Sequence, residues 1–373
     1  MKINSVKMPE LIIGDLVAKI PIIQGGMGVG VSLSSLASAV GNVGGIGIIS
    51  TAGVGFDLPE YKINPVQTSI KALKNEIKKA KELTQGIIGV NIMVALSNFS
   101  NMVRTSVEAG ADIIFSGAGL PLDLPKYVTG DKKPKLVPII SSSRAARLII
   151  KRWTSTYDYL PDGFVVEGPM AGGHLGFKRE QINETDYLLE KLIPEVVREV
   201  GVFEEKYKRT IPVIAGGGIY TGEDIYKFIE LGASGVQMGT RFVPTYECDA
   251  AIEFKKAYIN CKKEDIVIID SPVGLPGRAI KNSFIESAEK GMNHPFNCPY
   301  HCIKTCKGNN SLYCIAKVLL NAKKGNINSG FVFAGQNAYR VKEIVSVQEL
   351  IGSLINEYSK AAEKTKPAVI DLQ

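Results

Sequence analysis

The sequence predicts an α/β fold: a (β/α)8 TIM barrel with a smaller subdomain inserted towards its C-terminal end. Three observations carry this. Eight short runs rich in Ile, Val and Gly alternate with amphipathic segments through residue 261. The runs show no polar alternation, as expected of parallel strands covered on both faces. The chain has 373 residues, too long for a typical single core but suited to one α/β barrel carrying an insertion. A doubly wound sheet would need fewer strands and normally a phosphate loop after the first. The glycines after the first run, Gln24-Gly25-Gly26-Met27-Gly28, do not fit G-x-G-x-x-G.

In order, the strand runs are 20–24, 45–50, 87–93, 111–116, 135–141, 163–167, 211–215 and 235–238. Helical patterns fall between them at 33–40, 65–83, 98–109, 144–154, 186–207 and 222–231, and 249–261 follows the eighth run. Asn64-Pro65 and Thr221-Gly222-Glu223 read as helix starts. Beyond Cys261 the rhythm changes: SPVGLPGR, a cysteine cluster and one helical pattern at 312–322 occupy 266–329. A strand and turn, FVFAGQNAYRV, and a terminal helix at 345–358 follow. The expected organisation is therefore a barrel from 1–265 and 330–373, with 266–329 as a small subdomain capping the substrate site.

Composition narrows the function classes. The chain is 45% hydrophobic and 22% charged, as in soluble globular proteins. Its net charge of +7 is mild, and the lysines of 71–82 are interleaved with acids, so no nucleic-acid partner is expected. No apolar run approaches membrane-spanning length, and the N-terminus lacks the apolar core of a signal peptide. Six cysteines in a chain of this size do not suggest a disulfide scaffold. The expectation is a cytoplasmic protein with reduced thiols. A homodimer is compatible with the chain, but the sequence does not fix an oligomeric state.

The most informative stretch is GFVVEGPMAGGHLGF. Paired glycines let backbone N–H groups approach a ligand, and His174, one of only three histidines, brings a side chain that titrates near neutrality. The plainer reading is a turn with a solvent-facing histidine. Barrel logic decides between them, because barrel active sites lie at the C-terminal strand ends, often with phosphate at strands seven and eight. Strand seven ends Ala215-Gly216-Gly217-Gly218 and strand eight ends Gln237-Met238-Gly239-Thr240-Arg241. Both expose backbone N–H groups where a phosphate would sit, and Thr240 or Arg241 can add a hydroxyl or a charge. The alternative for the triple glycine is close packing alone. His174 shares this rim with 24–28 and Asn91. A flat cofactor with a single phosphate, such as FMN, has the matching shape, although physics alone leaves other phosphorylated ligands open.

Taken together, IPIIQGGMGVGVS, GVNIMV, VVEGPMAGGHLGF, PVIAGGGIYTGEDI, GVQMGTRFVPTYECDA, SPVGLPGRAI and FVFAGQNAYRV run from residue 20 to about 341. In these motifs the chain resembles the nitronate monooxygenase family, formerly called 2-nitropropane dioxygenases, and is similar to the related FMN-dependent enoyl-acyl-carrier-protein reductases. The resemblance implies an FMN barrel. Gly25, Gly26 and Met27 would flank the flavin ring, Asn91 would bond its polar edge, and Gly172 would lie in the turn that contacts it. Gly217, Gly218, Gln237, Met238, Gly239 and Thr240 would hold the ribityl phosphate. His174 matches the family's active-site histidine. Glu167 stands where many members carry Gln, and a carboxylate cannot donate a hydrogen bond unless protonated.

Cys298, Cys302 and Cys306 recur at four-residue spacing, with Cys314 beyond and His294 and His301 among them. Zinc sites and iron–sulfur clusters use such residues, but neither usual paired spacing occurs here. Residues four apart stack on one helical face and free cysteines commonly pack as small hydrophobes, so packed thiols and no metal are the expectation. Phe284, Phe296 and Tyr300 either cover the flavin face or pack the subdomain core. Lys304 and Lys307 read as solvated charges.

The function implied first is oxidation of an alkyl nitronate by FMN and O2 to a carbonyl compound and nitrite. His174 would serve as an acid/base group or as an electrostatic partner of the nitronate oxygens. The alternative enzyme reading is reduction of an enoyl thioester with NAD(P)H as the electron source. A non-enzymatic reading is a flavin-binding sensor that uses the cysteines as a redox or metal switch.

Overall fold

The computed structural model describes residues 7–130, 132–292, 298, 300–306 and 311–365. Its first element is a hairpin, β1 (Leu11–Ile13) and β2 (Leu16–Ala18), joined through Gly14-Asp15. Gly14 takes φ +63°, the left-handed region this tight turn requires. Leu11, Ile13 and Ala18 are buried with the barrel interior, so the hairpin forms the floor of the barrel.

Eight parallel strands close the barrel in the order β3 (Ile22–Gln24), β4 (Ile46–Ser50), β5 (Ile87–Met93), β6 (Ile113–Gly117), β7 (Lys135–Ile140), β8 (Phe164–Glu167), β10 (Val213–Gly216) and β11 (Gly235–Met238). β11 returns to β3, pairing Met238 with Gln24. Side chains including Ile23, Ile48, Phe115, Val165 and Ile214 fill the lumen. The other strand face packs against helices in a much larger apolar layer. This double burial is why the runs read as continuous apolar stretches.

The helices are α1 (Ser34–Asn42), α2 (Pro65–Leu83), α3 (Phe99–Glu108), α4 (Ser143–Tyr157), α5 (Leu189–Tyr207), α6 (Gly222–Glu230), α7 (Ile252–Asn260), α8 (Ser283–Glu289), α9 (Ile315–Lys323) and α10 (Val347–Thr365). One expectation is corrected here. The helix that follows strand eight in sequence is α7, but it does not complete the ring. α10 packs against both α6 and α1 and fills the eighth position. The chain therefore leaves the barrel after β11 and returns to close it.

Between those points it builds a second sheet from β12 (Ile266–Asp270), β13 (Pro276–Ile280) and β14 (Val332–Phe333). β9 (Gly173–His174) joins the edge of β13. Because β14 pairs with β13, the boundary expected at 329/330 cuts through this sheet. Its own core includes Ile269, Ala279, Ile285, Tyr313, Val318 and Phe331. Phe284 belongs to this packing, with its ring 5.4 Å from Tyr313. Tyr300 stacks on Phe56 at 4.6 Å. Phe296, His294 and Lys307 lie outside the described residues.

The contact between α6 and α10 leaves no slack. A Cβ on Gly222 would lie 2.1 Å from the Leu354 carbonyl oxygen and 2.4 Å from the Tyr358 nitrogen. Overpacking of this kind costs about 2 kcal/mol. Gly222→Ala is therefore expected to lower the urea midpoint by a corresponding amount, because α10 must shift to admit a methyl group. An unchanged midpoint would show that this helix pair can give way freely.

Candidate active site

The C-terminal strand ends and the second sheet enclose one cavity of about 820 Å³. All thirteen residues expected at the site line it. Gly25, Gly26 and Met27 come from the end of β3 and Asn91 from β5. Glu167 ends β8, and Gly172 and His174 follow it. Gly217 and Gly218 come after β10, and Gln237, Met238, Gly239 and Thr240 end β11.

Each group has a local reason for its place. Fully buried Gln24 accepts from the Ile48 N–H at 3.0 Å and donates to the Gly25 carbonyl, fixing the first turn. Gly26 passes so close to Asn91 that a Cβ would lie 2.3 Å from the Asn91 Cβ. Gly217 and Gly218 take φ +94° and +92°, a path only glycine follows without strain. No described acceptor meets the backbone N–H of Gly218, Gly239 or Thr240, so these donors stand open on the rim.

One expected contribution to that rim is corrected, and a neighbouring helix start offers none. Arg241 does not line the cavity; its guanidinium stacks 4.5 Å from the Tyr220 ring, which Arg340 also covers at 4.2 Å. The start of α6 is closed as well. Asp224 accepts from the Tyr220 and Thr221 N–H groups, both at 2.9 Å, while Thr221 accepts from the Asp224 N–H at 3.1 Å. This capping box satisfies the helix N-terminus and puts a carboxylate where an anion would otherwise sit.

The Gly-Gly-His motif is more than the end of a barrel strand. As β9 it pairs antiparallel with β13, Gly173 opposite Arg278 and His174 opposite Gly277. The His174 Nε2 lies 2.7 Å from the Ser271 hydroxyl, and its ring packs on the Phe333 edge at 4.9 Å. Burial pulls its pKa down to about 4. That shift favours the neutral imidazole at neutral pH. Burial acts in the opposite direction on Glu167, pushing its pKa up to about 7. Glu167 is half-buried and opens onto the cavity. No described residue gives its carboxyl a hydrogen bond or an ion pair.

Sequence reasoning missed the segment that crosses the rim at the ends of β10 and β11. The Gly335 N–H donates to the Thr240 hydroxyl at 3.2 Å, and Asn337 donates to the Gly218 carbonyl at 2.6 Å. Phe333, Gly335, Gln336 and Asn337 all line the cavity. FVFAGQNAYRV was the available signal, but nothing local in it announces a site. The cysteines are also corrected. The described part of 298–306 is not helical, so four-residue spacing does not stack the thiols there. The strap instead pairs with the loop after β5, the Ser97 N–H donating to the Cys302 carbonyl at 3.0 Å. Cys302 itself lines the cavity. Among the described residues, no group of three His, Cys, Asp or Glu side chains can hold a metal ion, and no helix is long and apolar enough to cross a membrane.

The raised Glu167 carries a stability consequence. Its protonated form is the one favoured by folding, so stability is lost as pH rises from the ordinary value of 4.5 through about 7. Glu167→Gln is expected to raise the melting temperature at pH 8 and to leave it unchanged at pH 4. His174 contributes equally to both proteins and cancels. An equal gain at both pH values would refute the buried-carboxyl assignment.

Comparison with known proteins agrees with this geometry. A family profile described as nitronate monooxygenase matches residues 10–357. A probable nitronate monooxygenase of Staphylococcus saprophyticus is 26% identical, covering 94% of this chain and 98% of the relative. Among solved structures, FabK from Thermotoga maritima aligns with a TM-score of 0.69 at 26% identity, over 92% of this chain and 94% of FabK. Nitroalkane oxidase from Streptomyces ansochromogenes shares the fold, with a TM-score of 0.70 at 19% identity over 93% and 98% of the two chains. With its barrel, its glycine-lined rim and a match spanning nearly its whole length, the chain belongs to the nitronate monooxygenase family and is an oxidoreductase.

Proposed function

We propose that the protein binds FMN in this cavity and oxidises alkyl nitronates with O2 to a carbonyl compound and nitrite. One observation carries the reading: a neutral, partnered histidine, unpartnered polar side chains and a rim of open N–H groups line a single cavity.

The residues fit the cofactor. A Cβ on Gly25 would meet nothing closer than 3.5 Å, and on Gly239 nothing closer than 3.6 Å. Packing therefore does not demand glycine at these two positions; what glycine leaves is open space for a flat ring. Gly25, Gly26, Met27 and Gly172 would flank that ring. Asn91 and Glu167 would meet its polar edge. Gly218, Gly239 and Thr240 would hold the phosphate through their open N–H groups and the Thr240 hydroxyl, with Gly217, Gln237 and Met238 shaping the space beside it. When bound, FMN supplies a two-electron acceptor.

The chain's own groups supply the rest. With a pKa near 7, Glu167 is substantially protonated at neutral pH and has an O–H to donate. That restores the donor its relatives' Gln would provide. Ser271 holds one nitrogen of His174, and no described residue bonds the other. That second nitrogen is available to orient a nitronate oxygen or to take a proton, a role that suits a neutral imidazole.

A second reading has its own observation. Large apolar side chains stand open along the same cavity: Leu120 is 41% exposed, Leu148 44%, Met170 42% and Leu275 37%. Such a mouth suits an acyl chain, and hence reduction of an enoyl thioester with NAD(P)H. Oxygen uptake with propionate 3-nitronate, set against NADH oxidation with an enoyl thioester, separates the two. Activity in the second assay alone would overturn the nitronate reading.

Two variants test the site. His174→Ala is expected to stay yellow with bound flavin while kcat falls about a hundredfold or more; unchanged kinetics would remove His174 from the chemistry. Gly217→Asp is expected to purify without flavin, because its carboxylate would repel the phosphate. Stoichiometric flavin in that variant would refute the placement of the phosphate.

A further inference from the structure

We propose that Arg278 is a positioning residue: its guanidinium fixes the 169–172 turn and so sets the His174 imidazole against the cavity. This inference rests on the reading of His174 given above.

Arg278 lies on β13 and is only 3% exposed. One guanidinium nitrogen, Nη1, donates to two carbonyls two residues apart, Pro169 at 2.5 Å and Ala171 at 2.7 Å. The carbonyl between them, on Met170, accepts from the Gln336 N–H at 3.1 Å. Three successive carbonyls are thus engaged from the side of the second sheet. The Arg278 backbone completes the tie, since it is registered against Gly173 and its carbonyl accepts from the Ala334 N–H at 3.1 Å. Gly172, caught in the middle, has no room to move; a Cβ there would lie 2.6 Å from Ala334 and Gly335 backbone atoms.

The residue type matters. No described carboxylate pairs with Arg278, and burial alone lowers its pKa to about 10, so it remains charged at neutral pH. A lone buried cation is costly, and an apolar residue would fill this space at lower cost. What Arg supplies is a planar guanidinium whose Nη1 points both its hydrogens at the two carbonyls in a fixed plane, a geometry that the flexible ammonium of Lys does not hold. Arg278 does not line the cavity, so it acts through the turn and β9 rather than on substrate.

The consequence reaches His174. The groups that face its ring are the Ser271 hydroxyl, the Phe333 ring and the Gly277 backbone, with Glu167 and Arg144 elsewhere in the same cavity. None of those against the ring is a cation, and the ring's low pKa comes from burial. Loosening the turn lets this half-buried ring leave Ser271 and Phe333 for the open cavity, which weakens its burial.

The test uses histidine-labelled full-length protein and NMR titration. The three histidines are resolved by comparison with His174→Gln. In the wild type, His174 is expected to stay neutral down to about pH 4. In Arg278→Lys and Arg278→Met its midpoint is expected to rise by about one unit or more. In the active holoenzyme, Arg278→Lys should lose about tenfold or more in kcat with little change in KM, and added guanidinium should restore part of the activity of Arg278→Ala. A folded Arg278→Lys protein with an unshifted His174 titration would overturn the proposal. So would a fall in melting temperature with titration and kcat unchanged. The titration needs no substrate, so it stands even if neither enzyme assay gives activity.

Discussion

The site depends on one pairing outside the barrel: two residues, Gly173 and His174, hydrogen-bonded along the edge of β13. A barrel strand end by itself would leave the histidine on a loop free to sample several orientations. Pairing it with a second sheet fixes its backbone, and Ser271 and Phe333 then fix its ring. The same sheet sends the segment after β14 across to Thr240 and Gly218 on the opposite rim. The second sheet therefore does more than cover the cavity. It ties the histidine on one side to the open N–H groups on the other.

The electrostatics follow from that enclosure. Burial disfavours charge, raising an acid and lowering a base. Glu167 and His174 feel it in opposite directions, and both approach neutral forms at neutral pH. The far rim offers open backbone N–H groups, since Arg241 turns away to stack on Tyr220 and α6 caps its own N-terminus. The cation that does line the cavity, Arg144, stands across it at the start of α4.

Much of this was legible in sequence. Eight strands buried on both faces give eight apolar runs, and the two runs at 87–93 and 235–238 match β5 and β11 residue for residue. The glycine-rich ends of strands seven and eight marked the rim because barrel topology puts all such ends on one face. Other parts were not legible. The hairpin floor is too short to give a periodic signal. The four-residue cysteine spacing suggested a helix face, but the strap is held by pairing to the loop after β5 instead. Arg241 and Arg278 look alike in sequence. Only packing sends one onto Tyr220 and buries the other against two carbonyls.

The sequence by itself determined the barrel and the strand-end residues that line its rim, because parallel-strand burial and strand-end glycines are local properties written in residue order. Tertiary structure alone decided how the barrel closes, since α10 rather than α7 takes the eighth position through a contact with α6 well over 100 residues away in sequence. It alone also decided that burial pulls the His174 pKa down and pushes the Glu167 pKa up, since desolvation depends on everything packed around a group and not on its neighbours in the chain.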